Sequence, residues 1–86
     1  MADYAVVVSD RATREIEALP ATLAARVYAK LVTLGSQPRP RGVKKLQGAL
    51  DLWRIRVGDY RVIYSVDDQG RVVDVVRVRH RSKAYD

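Results

Sequence analysis

The sequence has 86 residues, no cysteine and a formal net charge of +6. The lack of cysteine excludes disulfides and thiolate metal sites, and no apolar run approaches the roughly 18 residues of a membrane span. One domain over residues 1–86 is therefore expected, near the lower size limit for a single core. Since the first residues lack the basic flank and apolar stretch of a signal peptide, we expect a soluble cytoplasmic protein without membrane contact.

The positive charge is concentrated in the second half of the chain. Residues 1–40 contain five basic and four acidic side chains, whereas residues 41–86 contain eleven and six. A basic face on a small domain indicates a polyanionic partner, either nucleic acid or an acidic protein segment. The alternative at this point is a surface whose charges serve only solvation.

The first half predicts a strand followed by two helices. Tyr4–Ser9 is β-branched and apolar, which favours a strand buried on both faces. Ser9 and Asp10 offer N-cap oxygens, and Pro20 separates two segments with apolar residues at helical spacing. In the first helix the apolar residues are Ala12, Ile16 and Leu19, and the residues expected to point outward are Arg14, Glu15 and Glu17. In the second helix the apolar residues are Leu23, Val27, Leu31 and Leu34. Gly35 is expected to end the second helix as its C-cap.

The second half predicts a basic loop and three consecutive strands. Prolines at positions 38 and 40 exclude a helix or a central strand over 37–42. Strands are expected over 52–57, 60–66 and 71–79, with a type II′ turn at Gly58-Asp59 and a second turn over 67–70. The predicted fold is α+β with the order β-α-α-β-β-β, a helical hairpin packed on a small, mainly antiparallel four-stranded sheet.

The turn at Gly58-Asp59 fixes which side chains share a face of the sheet. It places Arg56 opposite Arg61, and alternation along the strands then separates two faces. The face expected to form the core carries Trp53, Ile55, Val57, Tyr60, Val62 and Tyr64. The opposite face carries Arg54, Arg56 and Arg61. Opposed like charges destabilise a sheet, so this cluster indicates a phosphate-binding site, although a distant carboxylate or water could also neutralise it.

The last strand is predicted to add two more arginines to that face. Arg77 and Arg79 join it if Gly70 forms a one-residue bulge after the turn. The same register sends Val72, Val76 and Val78 to the core and leaves Asp74 on the core side.

These residues resemble the RelE/ParE superfamily of toxins from type II toxin–antitoxin systems, and its RelE branch more than its ParE branch. The matching segments are Leu46-Gln47-Gly48, the specific run from Leu52-Trp53-Arg54 through Gly58-Asp59-Tyr60-Arg61 to Tyr64, then His80-Arg81 and Tyr85. The resemblance implies a ribosome-dependent endoribonuclease that cuts mRNA in the A site without metal or cofactor. It also implies a cognate antitoxin protein as partner, with DNA reached only indirectly through the antitoxin complex.

The resemblance also implies roles for individual residues in the attack of a ribose 2′-hydroxyl on the adjacent phosphate. Arg54 and Arg56 match basic residues that activate and stabilise, and Arg61 matches a phosphate-clamping arginine. Arg79 matches an acid or leaving-group stabiliser, and Tyr85 an aromatic residue that stacks on or orients a base. Well-known RelE-like members have lysines at the first two positions. Because arginine is a very poor base, Tyr85 or a ribosomal group must assist, or the rate is low.

Further basic residues are expected to contact the RNA backbone. Lys44 and Lys45 are predicted in a loop, where contact with phosphate and simple solvation are both open. Arg77 and Arg81 complete the predicted RNA-binding set. His80 is expected to be structural because it points away from Arg79 and Arg81.

Two other functions remain open from the sequence. A ParE-like toxin that poisons DNA gyrase would share the fold without needing the arginine cluster. A non-catalytic basic module that binds RNA or an acidic partner would explain the missing general base.

Overall fold

The computed structural model describes residues 3–46, 48 and 51–83, which form two helices and a five-stranded sheet. The elements are β1 (Ala5–Val8), α1 (Asp10–Glu17), α2 (Ala21–Ser36), β2 (Lys44–Lys45), β3 (Leu52–Val57), β4 (Tyr60–Asp67), β5 (Val72–His80) and a 3₁₀ turn over Arg81–Lys83. The strand order is β1-β5-β4-β3-β2, with β1 parallel to β5 and the other pairs antiparallel.

The α+β class is confirmed, but the four-stranded sheet is a wrong prediction. The additional strand is β2, a pair of lysines for which the sequence predicts a loop. Its residues pair with Arg54 and Trp53 of β3. Two lysines show no β-branched or alternating pattern, so this strand depends on the partner strand rather than on its own side chains.

Both helices pack on one face of the sheet and form the core there. The predicted apolar stripes supply Ala12 and Ile16 from α1 and Val27, Leu31 and Leu34 from α2, all of them buried. The predicted N-cap is confirmed, since the Ser9 Oγ accepts a hydrogen bond from the Ala12 backbone nitrogen at 3.1 Å. Within the part of the chain described, neither helix has the length and apolar character needed to cross a membrane.

Strand β1 is not buried on both faces as predicted. It is an edge strand, and its side chains alternate between half-buried and exposed. Val6 and Val8 contact the core, whereas Val7 on the other face is 51% exposed. The difference arises because the helices cover only one face of this sheet.

Gly35 is also not the C-cap of α2, which continues to Ser36 and is capped by Gln37. Gly35 instead lets the helix approach β1 closely. The Tyr4 backbone nitrogen donates a hydrogen bond to the Gly35 carbonyl at 2.7 Å, and a Cβ on Gly35 would lie 3.2 Å from the Tyr4 carbonyl oxygen.

The predicted register of the β3–β4 hairpin is confirmed at every pair. Val57 lies opposite Tyr60, Arg56 opposite Arg61, and Trp53 opposite Tyr64. Gly58 has φ +58°, and it is the first of the two turn residues. The described non-glycine residues with positive φ are Asp51 and Arg71, so Asp59 has negative φ. Positive φ at the first turn residue alone is the pattern of a type II′ turn, and a glycine adopts it without strain.

The pairing of β4 with β5 contains a bulge, but not at Gly70. The register shifts between Ile63 and Tyr64, so that Val76 is the extra residue in the middle of β5. The core therefore receives Val73, Val75 and Val78, whereas Val72 and Val76 are half-buried and Asp74 lies on the other face. Because of this bulge, the odd-numbered residues face the core in the first half of β5 and the even-numbered Val78 faces it in the second half. A prediction based on regular alternation along the strand does not include such a change.

Candidate nucleic-acid interface

The face of the sheet opposite the helices carries six cations in two neighbouring rows, and we call it the arginine face. Cross-strand pairing places Arg56, Arg61 and Arg79 side by side in the row next to the hairpin turn. The adjacent row contains Lys44, Arg54, Ile63 and Arg77. Arg77 and Arg79 therefore lie on the same face as Arg54, Arg56 and Arg61, as predicted, but the bulge that places them there is at Val76 and not at Gly70.

Charge is segregated along this face. Asp74, paired with Ser65, and Asp67, paired with Val72, lie towards the opposite end of the strands from the two cationic rows. Like charges placed opposite each other destabilise a sheet. A phosphate anion at the hairpin end would relieve that repulsion, so the arrangement favours an anionic ligand there.

The arginines of the first row differ in exposure. Arg61 is 8% exposed and is the central member of the row, whereas its neighbour Arg56 is exposed and Arg79 is half-buried. A buried side chain loses less conformational freedom when it binds, so Arg61 is suited to hold a phosphate in a fixed position. The planar fork of the guanidinium group matches two phosphate oxygens at once.

A groove of about 340 Å³ borders the arginine face, lined by Gly42, Lys44, Arg54 and Arg56. None of the described residues that line it is acidic. Its cations come from β2 and β3, and Gly42 from the preceding loop forms the remaining wall. Three cations around one concave surface suit a phosphodiester backbone.

The loop that forms this wall is attached to the rest of the molecule through Arg39. Its guanidinium group binds both carboxylate oxygens of Asp68, at 3.1 and 2.9 Å, and lies 5.2 Å from the centre of the Trp53 ring. The Tyr4 hydroxyl donates a third hydrogen bond to Asp68 at 2.6 Å. Hydrogen bonds from Arg39 and then Tyr4 lower the pKa of Asp68 to about 2.

Arg77 lies on the arginine face, but its guanidinium group is engaged by α1. Its Nε and Nη2 atoms lie 2.9 and 2.8 Å from Glu15 Oε2, and the other Glu15 oxygen accepts a hydrogen bond from the Val78 backbone nitrogen at 2.7 Å. Glu15 had been predicted to point outward. It contacts β5 because β1 ends at Val8 and leaves the last part of β5 without a neighbouring strand.

The remaining predicted residues lie elsewhere. Lys45 projects from the other side of the sheet, with its Nζ 5.8 Å from the centre of the Trp53 ring. Arg81 is exposed in the 3₁₀ turn, and its backbone nitrogen donates to the Asp59 carbonyl at 2.8 Å. Tyr85 lies outside the described residues.

His80 points away from the arginine face, as predicted. It pairs with Tyr60, and the two rings meet edge to face with centroids 5.3 Å apart. Its Nδ1 atom lies 2.9 Å from the Ser82 hydroxyl. These contacts agree with a structural position at the end of β5.

Two cations on α2 were not singled out from the sequence. Arg26 and Lys30 line, together with Arg56, a second pocket of about 330 Å³ beside the hairpin turn. Their spacing of four residues places them on one side of the helix, which is a signal that the sequence does contain. That side adjoins the Arg56 end of the arginine face only because of how α2 lies on the sheet.

Comparisons with known proteins agree with this geometry. The family model described as the ParE toxin of type II toxin–antitoxin systems, parDE, matches residues 6–85. Toxin RelE of Mycobacterium tuberculosis is 33% identical, over 95% of this chain and 86% of that protein. RelE in the archaeal RelE–RelB complex from Pyrococcus horikoshii is 34% identical with a TM-score of 0.83, over 98% of this chain and 100% of that one.

The isolated Escherichia coli RelE toxin gives the same result. Its crystal structure has a TM-score of 0.77 and 32% identity, over 95% of this chain and 90% of that one. The matching family model is named for ParE, but these similar relatives are RelE toxins. The chain therefore belongs to the RelE/ParE superfamily of type II toxin–antitoxin toxins, and within it to the RelE branch.

Proposed function

We propose that the protein is a ribosome-dependent mRNA endoribonuclease that inhibits translation by cutting the codon in the A site. The observation that supports this most directly is the row formed by Arg56, Arg61 and Arg79 on the arginine face. The groove containing Lys44 and Arg54 lies next to this row and can bind the backbone on one side of the cleaved linkage.

The proposed reaction needs no metal. The ribose 2′-oxygen attacks the adjacent phosphorus, the bond to the 5′-oxygen breaks, and a 2′,3′-cyclic phosphate and a 5′-hydroxyl remain. Negative charge grows on the phosphate oxygens in the transition state, and positioned cations stabilise it. Arg61 would hold the phosphate, Arg54 and Arg56 would stabilise the growing charge, and Arg79 would stabilise the departing 5′-oxygen.

The proton of the 2′-hydroxyl needs an acceptor other than arginine, because the guanidinium group stays protonated in proteins. Of the described residues, Glu15 is bound to Arg77 and Val78, and His80 projects from the opposite side of the sheet. We therefore assign this step to Tyr85 or to a ribosomal group. The second assignment would make cleavage depend on the ribosome.

We also propose a cognate antitoxin as the physiological partner. The related RelE proteins of Pyrococcus horikoshii and Mycobacterium tuberculosis were crystallised in complexes with RelB antitoxins. An acidic antitoxin segment that folds on binding would complement the two cationic rows and exclude RNA from them. Contact with DNA would then be indirect, through the antitoxin.

Primer extension on mRNA from a reconstituted translation reaction tests the proposed activity. Purified toxin should produce cuts at the A-site codon, and the same message without ribosomes should stay intact. Ribosomes need Mg²⁺, so the reaction itself cannot be run with a chelator. Treating the purified toxin with EDTA and then removing the EDTA tests for a tightly bound metal, and cleavage should be unchanged. An uncut message with continuing translation would contradict the proposal.

Inhibition of DNA gyrase is the second candidate, because the matching family model is the one named for ParE. In a gyrase cleavage assay, this alternative predicts trapped double-strand breaks that increase with toxin concentration. The endoribonuclease proposal predicts none. The two assays together therefore distinguish the candidates directly.

A further inference from the structure

The second basic pocket lies between α2 and the turn of the β3–β4 hairpin. Arg26 and Lys30 enter it from the helix, and Arg56, Val57 and Gly58 enter it from the hairpin. Arg26 lies directly over the turn, where its Nη1 atom is 3.5 Å from the position that a Cβ on Gly58 would occupy. That distance is an ordinary van der Waals contact, so the guanidinium group of Arg26 lies against the turn.

The described lining of this pocket contains three cations, Arg26, Lys30 and Arg56. Of the described residues that line it, none is acidic, and the ion pairs between described side chains involve Arg39 and Arg77 instead. Asp59 lines a neighbouring pocket with Arg26, but neither Lys30 nor Arg56 borders that one. Like charges four residues apart destabilise a helix, so Arg26 and Lys30 carry a cost that an anion would remove.

Arg56 connects this pocket with the groove on the arginine face. It lines both the groove with Lys44 and Arg54 and the pocket with Arg26 and Lys30. The two cavities have similar volumes, about 340 and 330 Å³. A polyanionic strand bound in the groove can therefore pass Arg56 and continue around the end of β3 onto the surface of α2.

We propose that Arg26 and Lys30 form a second phosphate subsite, which binds the RNA backbone beyond the phosphate held near Arg56. This inference rests on the proposed function and extends it to a surface outside the sheet. Contacts with phosphate position a strand without reading its bases. The subsite therefore contributes to affinity and to the placement of the strand, and it leaves the choice of base at the cleaved linkage unchanged.

Binding of a fluorescent single-stranded 2′-O-methyl RNA tests the subsite. The methyl group blocks attack by the 2′-oxygen, so binding is measured by anisotropy without cleavage. The logarithm of the binding constant falls with the logarithm of salt concentration by about 0.7 for each phosphate contact to single-stranded RNA. The double variant Arg26→Gln/Lys30→Gln should bind more weakly at low salt and have a slope reduced by about 0.7 to 1.4.

The matched control is Arg11→Gln/Arg14→Gln on α1. Both of its residues are exposed, and the variant changes the net charge by the same amount. Its slope should stay close to that of the wild type, because these residues border neither cavity. Lys30→Gln alone leaves the contact of Arg26 with the turn in place, and it should give about half of the change.

Binding to message-free ribosomes identifies the source of the phosphate groups. If the α2 variant binds the oligonucleotide more weakly, the subsite accepts the mRNA strand. If it loses affinity only for ribosomes, the phosphates belong to ribosomal RNA. An unchanged slope with both probes, equal losses in the α1 control, or no binding of either probe by the wild type would overturn the inference.

These outcomes are separable from a failure of the proposed function. If the wild-type protein cuts mRNA on ribosomes and the α2 variant binds RNA normally, the subsite is rejected and the proposed nuclease activity stands. If the wild-type protein binds RNA through Arg26 and Lys30 but does not cut mRNA, the subsite stands and the proposed nuclease activity is rejected.

Discussion

Arg61 and Arg79 lie opposite each other on β4 and β5. A substitution of Arg79 should therefore have different effects on stability and on activity. Arg79→Gln removes one of two opposed positive charges, so the free energy of unfolding should stay the same or increase by a few tenths of a kcal/mol. The same change should lower mRNA cleavage by about 100-fold or more, as for loss of one transition-state donor.

The measurement combines primer extension on ribosomes with urea unfolding. Arg14→Gln on α1 is the control, since it has the same charge change on an exposed residue outside both cavities. If Arg79→Gln destabilised the protein and cut mRNA normally, Arg79 would be a structural residue and not part of the reaction.

Tyr64 is the largest of the fully buried side chains, and its hydroxyl ties the core to the proline-containing loop. It donates a hydrogen bond to the Pro38 carbonyl at 2.7 Å. Tyr64→Phe removes this bond and leaves a partly buried acceptor without a partner. We therefore expect the free energy of unfolding, measured in urea, to fall by about 1 to 2 kcal/mol. Tyr28 is a half-exposed residue of α2. Tyr28→Phe should change the free energy of unfolding by less than about 0.5 kcal/mol.

Alkaline pH provides a second measurement on Tyr64. Burial raises its pKa to about 12, above the value of about 10 in the unfolded chain. The neutral hydroxyl thus stabilises the fold fully below about pH 10, and this contribution is lost as the pH rises towards 12. The Phe variant should lack this component of alkaline unfolding. Parallel pH curves for Tyr64→Phe and wild type above pH 10 would contradict the assignment.

At the scale of residues, the sequence predicted the arginine face because one local feature determined it. Gly58-Asp59 sets the register of the hairpin, and the register sets which side of the sheet Arg54, Arg56 and Arg61 occupy. The partner of Arg77 could not be predicted in the same way. Glu15 is 62 residues away in sequence, and its contact depends on where α1 lies against β5.

At the scale of elements, the sequence predicted those strands and helices that have their own hydrophobic pattern. Helices α1 and α2 and strands β3, β4 and β5 all show such a pattern. Strand β2 does not, because two lysines become a strand only through pairing with β3. The sequence does not predict the bulge at Val76 for a related reason. Its position depends on how the two halves of β5 pack against the core, and no turn residue marks it.

The contact of α1 with the unpaired end of β5 leads to a prediction about Glu15. Glu15→Gln keeps an oxygen for the Val78 backbone nitrogen and loses the ion pair with Arg77, whose partners are each 22% exposed. We expect a loss of about 0.5 to 1.5 kcal/mol in urea unfolding. Glu15→Ala also leaves the Val78 nitrogen without its acceptor, and should lose about 1 to 3 kcal/mol.

Glu17→Gln is the matched control, because Glu17 is exposed on the same helix. It should change the free energy of unfolding by less than about 0.5 kcal/mol. Equal losses for Glu15→Gln and Glu15→Ala would show that the hydrogen bond to Val78 contributes nothing, and that α1 is held to β5 by the ion pair and apolar packing alone.

At the scale of the whole molecule, Asp68 joins three separate parts of the chain. It binds Tyr4 before β1, Arg39 in the loop that borders the groove, and it belongs to the turn between β4 and β5. Trp53, under Arg39, connects the same cluster to β3. Loss of the Asp68 charge should therefore loosen the groove wall as well as destabilise the fold.

The pH dependence of stability tests this role. The pKa of Asp68 is about 2 in the folded protein, held below its ordinary value by hydrogen bonds from Arg39 and then Tyr4. A lowered folded pKa stabilises the protein fully above the unfolded value of about 4, and the contribution is lost as the pH falls towards 2. Asp68→Asn should be less stable than wild type at neutral pH, and the difference should vanish at about pH 2.

Salt and a control variant complete the test. The Asp68 side chain is 56% exposed. Added salt should therefore reduce the difference in stability between Asp68→Asn and wild type at neutral pH. Asp3→Asn removes the same charge from an exposed residue next to Tyr4 and is the control, which should change the free energy of unfolding at neutral pH by less than about 0.5 kcal/mol. If Asp68→Asn and wild type lost stability in parallel between about pH 4 and pH 2, the carboxylate would not be what joins the loop to the sheet. The groove wall would then have to be held by the stacking of Arg39 on Trp53 and by the hydrogen bond from Tyr64 to Pro38.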